Sequence, residues 1–162
     1  MAIHLLIIAI ALVVSFGLIV FVGAPYVPSL KPHIEAAFEL LDLQEGDLLL
    51  ELGAGDGRVM VAALERGQRV IGYELNPVLA AVAWLRTRKY GTRAKVVWGD
   101  AFRAEWPPET KGVYLFGVKR LAQRVDRRLM GDSTGAKFVT VGFEVTGKQA
   151  DATRGAVHLY TY

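Results

Sequence analysis

The first hydrophobic feature of the chain is an uninterrupted apolar run over residues 5–23, in which the only polar side chain is Ser15. As an α-helix, at about 1.5 Å per residue, this run approaches the roughly 30 Å thickness of a bilayer core. It is apolar on all sides, whereas a surface helix has a polar face. The pattern therefore predicts a transmembrane helix within residues 1–24. A cleaved signal peptide and a buried core helix are alternatives; the absence of Lys or Arg before the run disfavours the signal peptide.

Residues 25–46 separate this run from the next strand-like pattern. Pro25, Pro28 and Pro32 prevent a continuous helix from crossing the segment. Apolar residues then recur at helical spacing, which predicts a helix with Ser29 as its N-cap. The apolar face of that helix is formed by Ile34, Ala37, Phe38 and Leu41.

Residues 47–162 alternate between short apolar runs and amphipathic helical patterns, which predicts an α/β domain with a mainly parallel sheet. Five strands are expected, in DLLLEL, RVIGYE, AKVVWGD, GVYLFGV and AKFVTVGFEV, and GAVHLYTY is a candidate for a last one. The segment TGKQADATRG leaves little room for a final helix and hairpin. We therefore expect the C-terminal part of the sheet to be shortened.

The sequence ELGAGDGR, residues 51–58, places three glycines directly after the first of these strands. A dinucleotide site has the spacing G-x-G-x-x-G, and Arg58 stands where its last glycine belongs. Glu51 and Asp56 would repel a pyrophosphate, and no Gly-Lys-Ser/Thr follows to form a P-loop. Acids beside a turn that a ligand can approach closely suit a positively charged ligand. S-adenosylmethionine, with a sulfonium and an ammonium but no phosphate, is such a ligand.

Two further acids end the next two predicted strands. Glu74, in GYELN, can accept both hydroxyls of a ribose, as the equivalent acid does in dinucleotide folds. Asp100, in WGDAF, can accept from an adenine amino group, and Phe102 can lie against the ring. Acids at three successive strand ends beside a glycine turn predict a nucleoside site.

These motifs together resemble the class I S-adenosylmethionine-dependent methyltransferases, over residues 47–118. ELGAGDGR is similar to the first motif of that class, GYELN to the second and GDAF to the third. The resemblance implies a Rossmann-like fold and S-adenosyl-L-methionine as the cofactor. It assigns the methionine part to the glycine turn, the ribose to Glu74 and the adenine region to Asp100 and Ala101. The implied cofactor-binding residues are Glu51, Leu52, Gly53, Ala54, Gly55, Asp56, Gly57, Glu74, Leu75, Asn76, Asp100, Ala101 and Phe102.

The order of features along nearly the whole chain resembles a narrower family, the small membrane-anchored protein-lysine methyltransferases. The matching features are the apolar run, PYVPS, ELGAGDGR, GYELNP and VYLFGV. Mitochondrial members of that family modify lysines of the ATP synthase c subunit and of the adenine nucleotide translocase, and prokaryotic relatives share the layout. The resemblance implies a lysine of a membrane protein as the substrate, and a segment before the core that is needed for activity. This substrate region comprises Pro25, Tyr26, Val27, Pro28 and Ser29.

Methyl transfer to a lysine requires that the ammonium, with a pKa of about 10.4, first lose a proton. No general base stands out in the sequence. Tyr26 is the catalytic candidate, because its hydroxyl can accept a hydrogen bond from the amine; Asp56, Tyr114 and Glu144 are weaker candidates. The sequence LFGVKR stands where many amide and amine methyltransferases have NPPY, which argues against adenine-N6 and glutamine methylation.

Charge and composition narrow the expected partners. The formal net charge is +3. The chain has no cysteine, and this absence fits a reducing compartment. Basic residues cluster at 86–95 and 119–128, and we interpret them as solvated helix faces or contacts with anionic lipid rather than as a nucleic-acid site. His4, His33 and His158 are isolated in the sequence, so no metal site is expected.

Because Lys31 is the first basic residue after the apolar run, the positive-inside rule places the C-terminal domain in the cytoplasm. In a eukaryote, the expected location is the mitochondrial inner membrane. Three other functions remain open from the sequence. They are methylation of a membrane small molecule such as a quinone or lipid head group, a non-catalytic cofactor-binding membrane adaptor, and a dehydrogenase, which Arg58 disfavours.

Overall fold

The computed structural model describes residues 3–8, 10, 27–132 and 135–162. Residues 3–8 and 10 are helical, and their side chains are exposed. Most of the predicted transmembrane segment lies outside the described residues, as do Pro25 and Tyr26. Within the part of the chain that is described, no helix is both long and apolar enough to cross a membrane.

From residue 27 to residue 98, helices and strands alternate, as the hydrophobic pattern predicts, whereas residues 99–109 and 142–151 connect strands without a helix. The helices are α1 (Lys31–Leu41), α2 (Arg58–Glu65), α3 (Pro77–Thr87) and α4 (Lys119–Asp132), and a 3-10 segment, Arg88–Arg93, follows α3. The strands are β1 (Leu48–Leu52), β2 (Arg69–Glu74), β3 (Ala94–Trp98), β4 (Thr110–Phe116), β5 (Lys137–Val141), β6 (Ala152–Arg154) and β7 (Val157–Thr161).

These strands form one sheet in the order β3-β2-β1-β4-β5-β7-β6. Neighbouring strands from β3 to β5 are parallel, and β7 is antiparallel to both β5 and β6. The chain builds β1, β2 and β3 in one direction and then returns to the other side of β1 as β4. Ligands of open α/β sheets bind beyond the carboxyl ends of the strands at such a reversal. The glycine turn follows the carboxyl end of β1 at this point.

Both faces of the sheet are covered by helices. Leu49 belongs to a buried cluster with α1, α2 and Ala83 of α3, whereas Leu50 belongs to a second cluster with α4. All five residues of β1 are buried, which explains its nearly continuous apolar sequence. Glu51 is the polar exception. Strand alternation places its side chain on the same face as Leu49, opposite Tyr114 of β4.

The predicted N-cap of α1 is wrong. Leu30 occupies the cap position without a side-chain hydrogen bond. A proline follows in the first turn, where backbone N–H groups have no acceptor within the helix, so its missing N–H costs no hydrogen bond. Ser29 precedes the cap, and its hydroxyl hydrogen-bonds to Tyr114 instead. By contrast, Asn76 caps α3 as predicted, because its side chain accepts from two backbone N–H groups of the first turn.

The prediction of a sheet shortened at its C-terminal part is wrong for the strands. β6 and β7 form an antiparallel hairpin, and β7 pairs along its whole length with β5. The connection from β5 to β6, residues 142–151, has no helix. The short C-terminal segment therefore completes a seven-stranded sheet and omits only the connecting helix.

Gly57 provides a test of how tightly the turn packs against α3. Its φ is +80°, and a Cβ built there would lie 2.9 Å from the Cα of Ala83. We expect Gly57→Ala to lower the free energy of unfolding by about 2 kcal/mol or more, because left-handed strain adds to a backbone clash. The matched control is Gly147→Ala, where φ is +77° and a Cβ meets nothing within 4 Å. Equal losses in urea unfolding of the two variants would contradict the packing role.

Candidate active site

The glycine turn is held open by its backbone conformation. Gly53, Gly55 and Gly57 have φ values of +98°, +54° and +80°, which favour glycine over residues with a Cβ. The amides of Gly53 and Ala54 both donate to the carbonyl of Tyr73, at 2.9 and 2.8 Å, and so tie the turn to β2. A Cβ at Gly53 would meet no atom within 4 Å. That face of the turn is therefore open to the close approach of a ligand.

Glu74 holds the turn from the neighbouring strand. One oxygen of its buried carboxylate accepts from the amide of Gly55 at 2.7 Å, and the other accepts from the amide of Asn76 at 2.8 Å. The side chain therefore joins the end of β2 to the glycine turn and to the start of α3. Each carboxylate oxygen can accept more than one hydrogen bond, so the predicted contact with ribose hydroxyls remains compatible with this support.

Asp56 is paired with two arginines that the sequence analysis did not associate with it. Arg58 donates to both of its carboxylate oxygens, at 3.0 and 2.8 Å, and Arg86 of α3 donates to one of them at 2.6 Å. Burial raises the pKa of Asp56, but the hydrogen bonds and charge of Arg58 and the charge of Arg86 outweigh it and hold the pKa below its usual value. Asp56 is therefore ionised and largely neutralised within the protein.

Glu51 is in the opposite situation. Its side chain is buried, and among the described residues Oε2 has no hydrogen-bond partner. Burial raises the pKa of Glu51 well above its ordinary value, the negative charges of Glu74 and Asp56 raise it further, and the backbone N–H of Met60 opposes them only in part. A buried carboxyl with unused acceptor capacity beside an open glycine turn fits a cationic ligand.

Asp100, the acid beyond the end of β3, organises the loop that follows that strand. Its Oδ1 accepts from the amide of Phe102 at 2.9 Å, and its other oxygen lies 3.7 Å from Arg103. Arg124 of α4 covers one face of the Phe102 ring, with its guanidinium carbon 3.9 Å from the ring centroid. An adenine ring can therefore stack only on the remaining face or edge of Phe102.

Ser29 and Tyr114 form a contact across 85 positions of sequence. The Tyr114 hydroxyl donates to Ser29 Oγ at 3.0 Å, and both side chains are buried. Burial raises the pKa of Tyr114, and the charge of Glu51 adds to this, although the hydrogen bond to Ser29 acts in the other direction. Tyr114 is therefore a protonated donor at neutral pH, which argues against the weak suggestion that it is a general base.

The remaining candidates are spread between the core and the surface. Leu52 and Ala101 are buried, and the carbonyl of Leu75 accepts from the indole of Trp98 at 3.1 Å. Val27 is exposed. The side chain of Glu144 is 70% exposed and lies 3.7 Å from His158, so its surroundings do not distinguish it as a base. Tyr26 lies outside the described residues and stays a prediction.

In the described part of the chain, no group of three or more histidines and acids is arranged to hold a metal ion. Around the glycine turn itself, three acids lie in different surroundings. One acid is neutralised by arginines, one supports the turn, and one is buried with a free acceptor oxygen.

The chain matches the sequence model of a known methyltransferase family. The ANTKMT methyltransferase domain matches residues 51–152, which run from Glu51 at the start of the glycine turn to Ala152 in β6. The chain belongs to this family. Membership confirms the resemblance to S-adenosylmethionine-dependent methyltransferases drawn from the three motifs.

Several relatives of the chain are named as lysine methyltransferases. Over 139 residues it is 39% identical to the adenine nucleotide translocase lysine N-methyltransferase of Mus musculus, covering 81% of this chain and 58% of that protein. Over 134 residues it is 28% identical to the lysine N-methyltransferase of the ATP synthase c subunit from Rattus norvegicus, covering 81% of this chain and 61% of that protein. The chain thus spans about three fifths of the length of these two relatives.

A solved structure extends the comparison to the fold and the cofactor. The RNA methyltransferase from Salinibacter ruber, in complex with S-adenosyl-L-homocysteine, superposes with a TM-score of 0.75 at 30% identity. The match covers 83% of this chain and 93% of that one. The Rossmann-like class I methyltransferase fold is therefore confirmed, and S-adenosylmethionine is the cofactor that this fold and family indicate.

The state of Glu51 predicts an unusual dependence of stability on pH. Because the folded state holds the Glu51 proton more tightly than the unfolded state, its contribution to stability falls as pH rises from about 4.5 through the raised folded pKa. We expect Glu51→Gln to be more stable than the wild type at pH 8, by about 1 kcal/mol or more, and the difference to shrink towards pH 5. Urea unfolding of the cofactor-free protein at both pH values checks this. A difference that does not change with pH would contradict the buried, protonatable state.

Proposed function

We propose that this protein transfers methyl groups from S-adenosylmethionine to a lysine side chain of a membrane protein. The observation that carries the proposal is the open glycine turn beside the buried carboxyl of Glu51, whose Oε2 has no hydrogen-bond partner among the described residues, in a chain of this methyltransferase family. The turn and the acid support the choice of cofactor. The names of the relatives support lysine as the acceptor.

The residues at the carboxyl edge of the sheet fit the cofactor in three parts. Gly53 and its neighbours would contact the methionine part, and Glu51 would balance its positive charge. Glu74 would accept from the ribose, since its oxygens retain acceptor capacity beyond the two amides. The loop at Asp100, Ala101 and Phe102 would hold the adenine. When bound, the cofactor supplies a methyl group that its sulfonium already makes electrophilic, so the protein mainly positions the acceptor.

Residues 27–29 would contribute to the acceptor side of the site. Ser29 hydrogen-bonds to Tyr114, which lies opposite Glu51 in the sheet, so this segment enters the domain beside the glycine turn. The described residues offer no evident base, because Asp56 is paired with arginines and Tyr114 holds its proton. An apolar entrance that lowers the pKa of the incoming lysine, with release of its proton to water, would meet the requirement. Tyr26 remains the proposed hydrogen-bond acceptor for the amine.

A membrane location is part of the proposal. The apolar run at residues 5–23 would anchor the chain in a membrane, with the methyltransferase domain on the cytoplasmic side. In a eukaryote, that membrane would be the mitochondrial inner membrane. Anchoring raises the effective concentration of a membrane-embedded acceptor without any additional contact. An acceptor similar to the ATP synthase c subunit would suit this arrangement.

The competing acceptor is RNA, because the structurally similar Salinibacter ruber protein is named for it. The basic side chains of α4 near residues 100–102 favour this alternative, since Arg124 and Arg128 lie over Phe102 and Trp106. Both arginines are already engaged in these contacts, and Arg128 also donates to the carbonyl of Ala104. Lysine is therefore the preferred acceptor.

The test is transfer of a radioactive methyl group from S-adenosylmethionine to membranes, RNA and lipid from a strain that lacks this gene. We expect label in a protein band whose hydrolysate contains methyl-lysine. The control is Glu74→Gln, whose amide nitrogen cannot accept from the backbone of the turn, and it should lose most of the label. Label confined to RNA or to lipid would contradict lysine methylation. Binding of S-adenosylhomocysteine without any transfer would favour the adaptor.

A further inference from the structure

Ser29 is attached to the methyltransferase core through two different atoms. Its hydroxyl accepts from Tyr114 of β4 at 3.0 Å, and its carbonyl accepts from Arg58 of α2 at 3.3 Å. Ser29 is buried, whereas Val27 and Leu30 on either side are exposed. Within residues 27–30, Ser29 is therefore the point at which the segment preceding α1 is fastened to the domain.

The two attachments lead to different parts of the core. Tyr114 belongs to β4 and is buried. Arg58, the first residue of α2, is instead tied to the glycine turn, because its guanidinium also binds both oxygens of Asp56. Arg86 holds the same carboxylate from α3. A planar guanidinium that serves a carboxylate and a carbonyl together fixes their relative positions.

We propose that Arg58 and Ser29 are positioning residues that couple occupation of the cofactor site to the placement of residues 27–30. The inference rests on the proposed function, since it takes the glycine turn as the site of the cofactor. The Arg58 link transmits the state of the turn, whereas the Tyr114 link attaches Ser29 to β4.

The physical basis is a shared restraint. A ligand that contacts residues 53–57 restricts the motion of the turn, and Asp56 passes that restriction to Arg58 and so to the Ser29 carbonyl. Linkage is reciprocal, so anything that orders residues 27–30 must also strengthen cofactor binding. An acceptor held by this segment would thereby bind preferentially to the cofactor-loaded enzyme.

The test is hydrogen exchange of the backbone amides of Val27, Ser29, Leu30 and Lys31, in the full-length protein with and without saturating S-adenosylhomocysteine. Calorimetry first establishes that each variant binds the ligand. In the wild type, we expect the ligand to slow exchange about fivefold or more. Arg58→Ala should remove this slowing, and Arg58→Lys, which keeps the charge beside Asp56 but not the planar fork, should reduce it and serves if the alanine variant does not fold.

Two controls separate coupling from simple stability. Arg66→Ala removes a link between the C-terminal end of α2 and α1, an ion pair with Glu35 and a contact with Phe38 that are remote from the turn, and should leave the slowing intact. Ser29→Ala keeps the carbonyl but loses the contact with Tyr114. It should speed exchange with and without ligand and leave their ratio unchanged.

The outcomes distinguish the inference from the function on which it rests. Ligand binding without any slowing in the wild type would overturn the coupling and leave the methyltransferase proposal standing. If the ligand slowed exchange in both Arg58 variants as much as in Arg66→Ala, the coupling would also be overturned. Failure of the wild type to bind S-adenosylhomocysteine would overturn the proposed function and the coupling together.

Discussion

The carboxylate of Glu74 is the interaction on which the geometry of the site depends. By accepting from the amides of Gly55 and Asn76, it fixes the end of β2, the glycine turn and the first turn of α3 relative to one another. The positive φ angles of the three glycines direct the turn towards this carboxylate and leave its outer face open at Gly53. A side chain that accepts from two separate backbone segments organises a site more firmly than a surface ion pair does.

Around this support, the other two acids of the site differ in how they are compensated. Asp56 is balanced by Arg58 and Arg86 and contributes to structure. Glu51 is buried without such a partner, which is costly for the cofactor-free protein. Residues that lower stability yet sit in a ligand-binding cleft are typical of functional sites. The cationic methionine end of S-adenosylmethionine would place a positive charge beside Glu51, as Arg58 and Arg86 do beside Asp56.

Much of this arrangement could be predicted from the sequence, because it depends on local patterns. Buried parallel strands are continuous apolar runs, and the cap at Asn76 and the turn at Gly53 follow from residue type. The pairing of Asp56 with Arg86 and of Ser29 with Tyr114 could not be predicted, because each joins residues far apart in sequence through the packing of α1 and α3. The C-terminal hairpin was missed because β6 has only three residues and too little alternation to signal a strand.

We propose that Glu51 is held in the site for a cationic cofactor, and the affinity of Glu51→Gln for S-adenosylhomocysteine, measured by calorimetry, tests this role. The product retains the ammonium of the methionine part, so loss of the carboxylate should weaken binding about tenfold or more, even though the variant folds more stably. Glu65→Gln, on the exposed end of α2, is the control and should bind as the wild type does. Unchanged affinity in Glu51→Gln would contradict a role of Glu51 in cofactor binding, because the buried acid would then be a structural residue only.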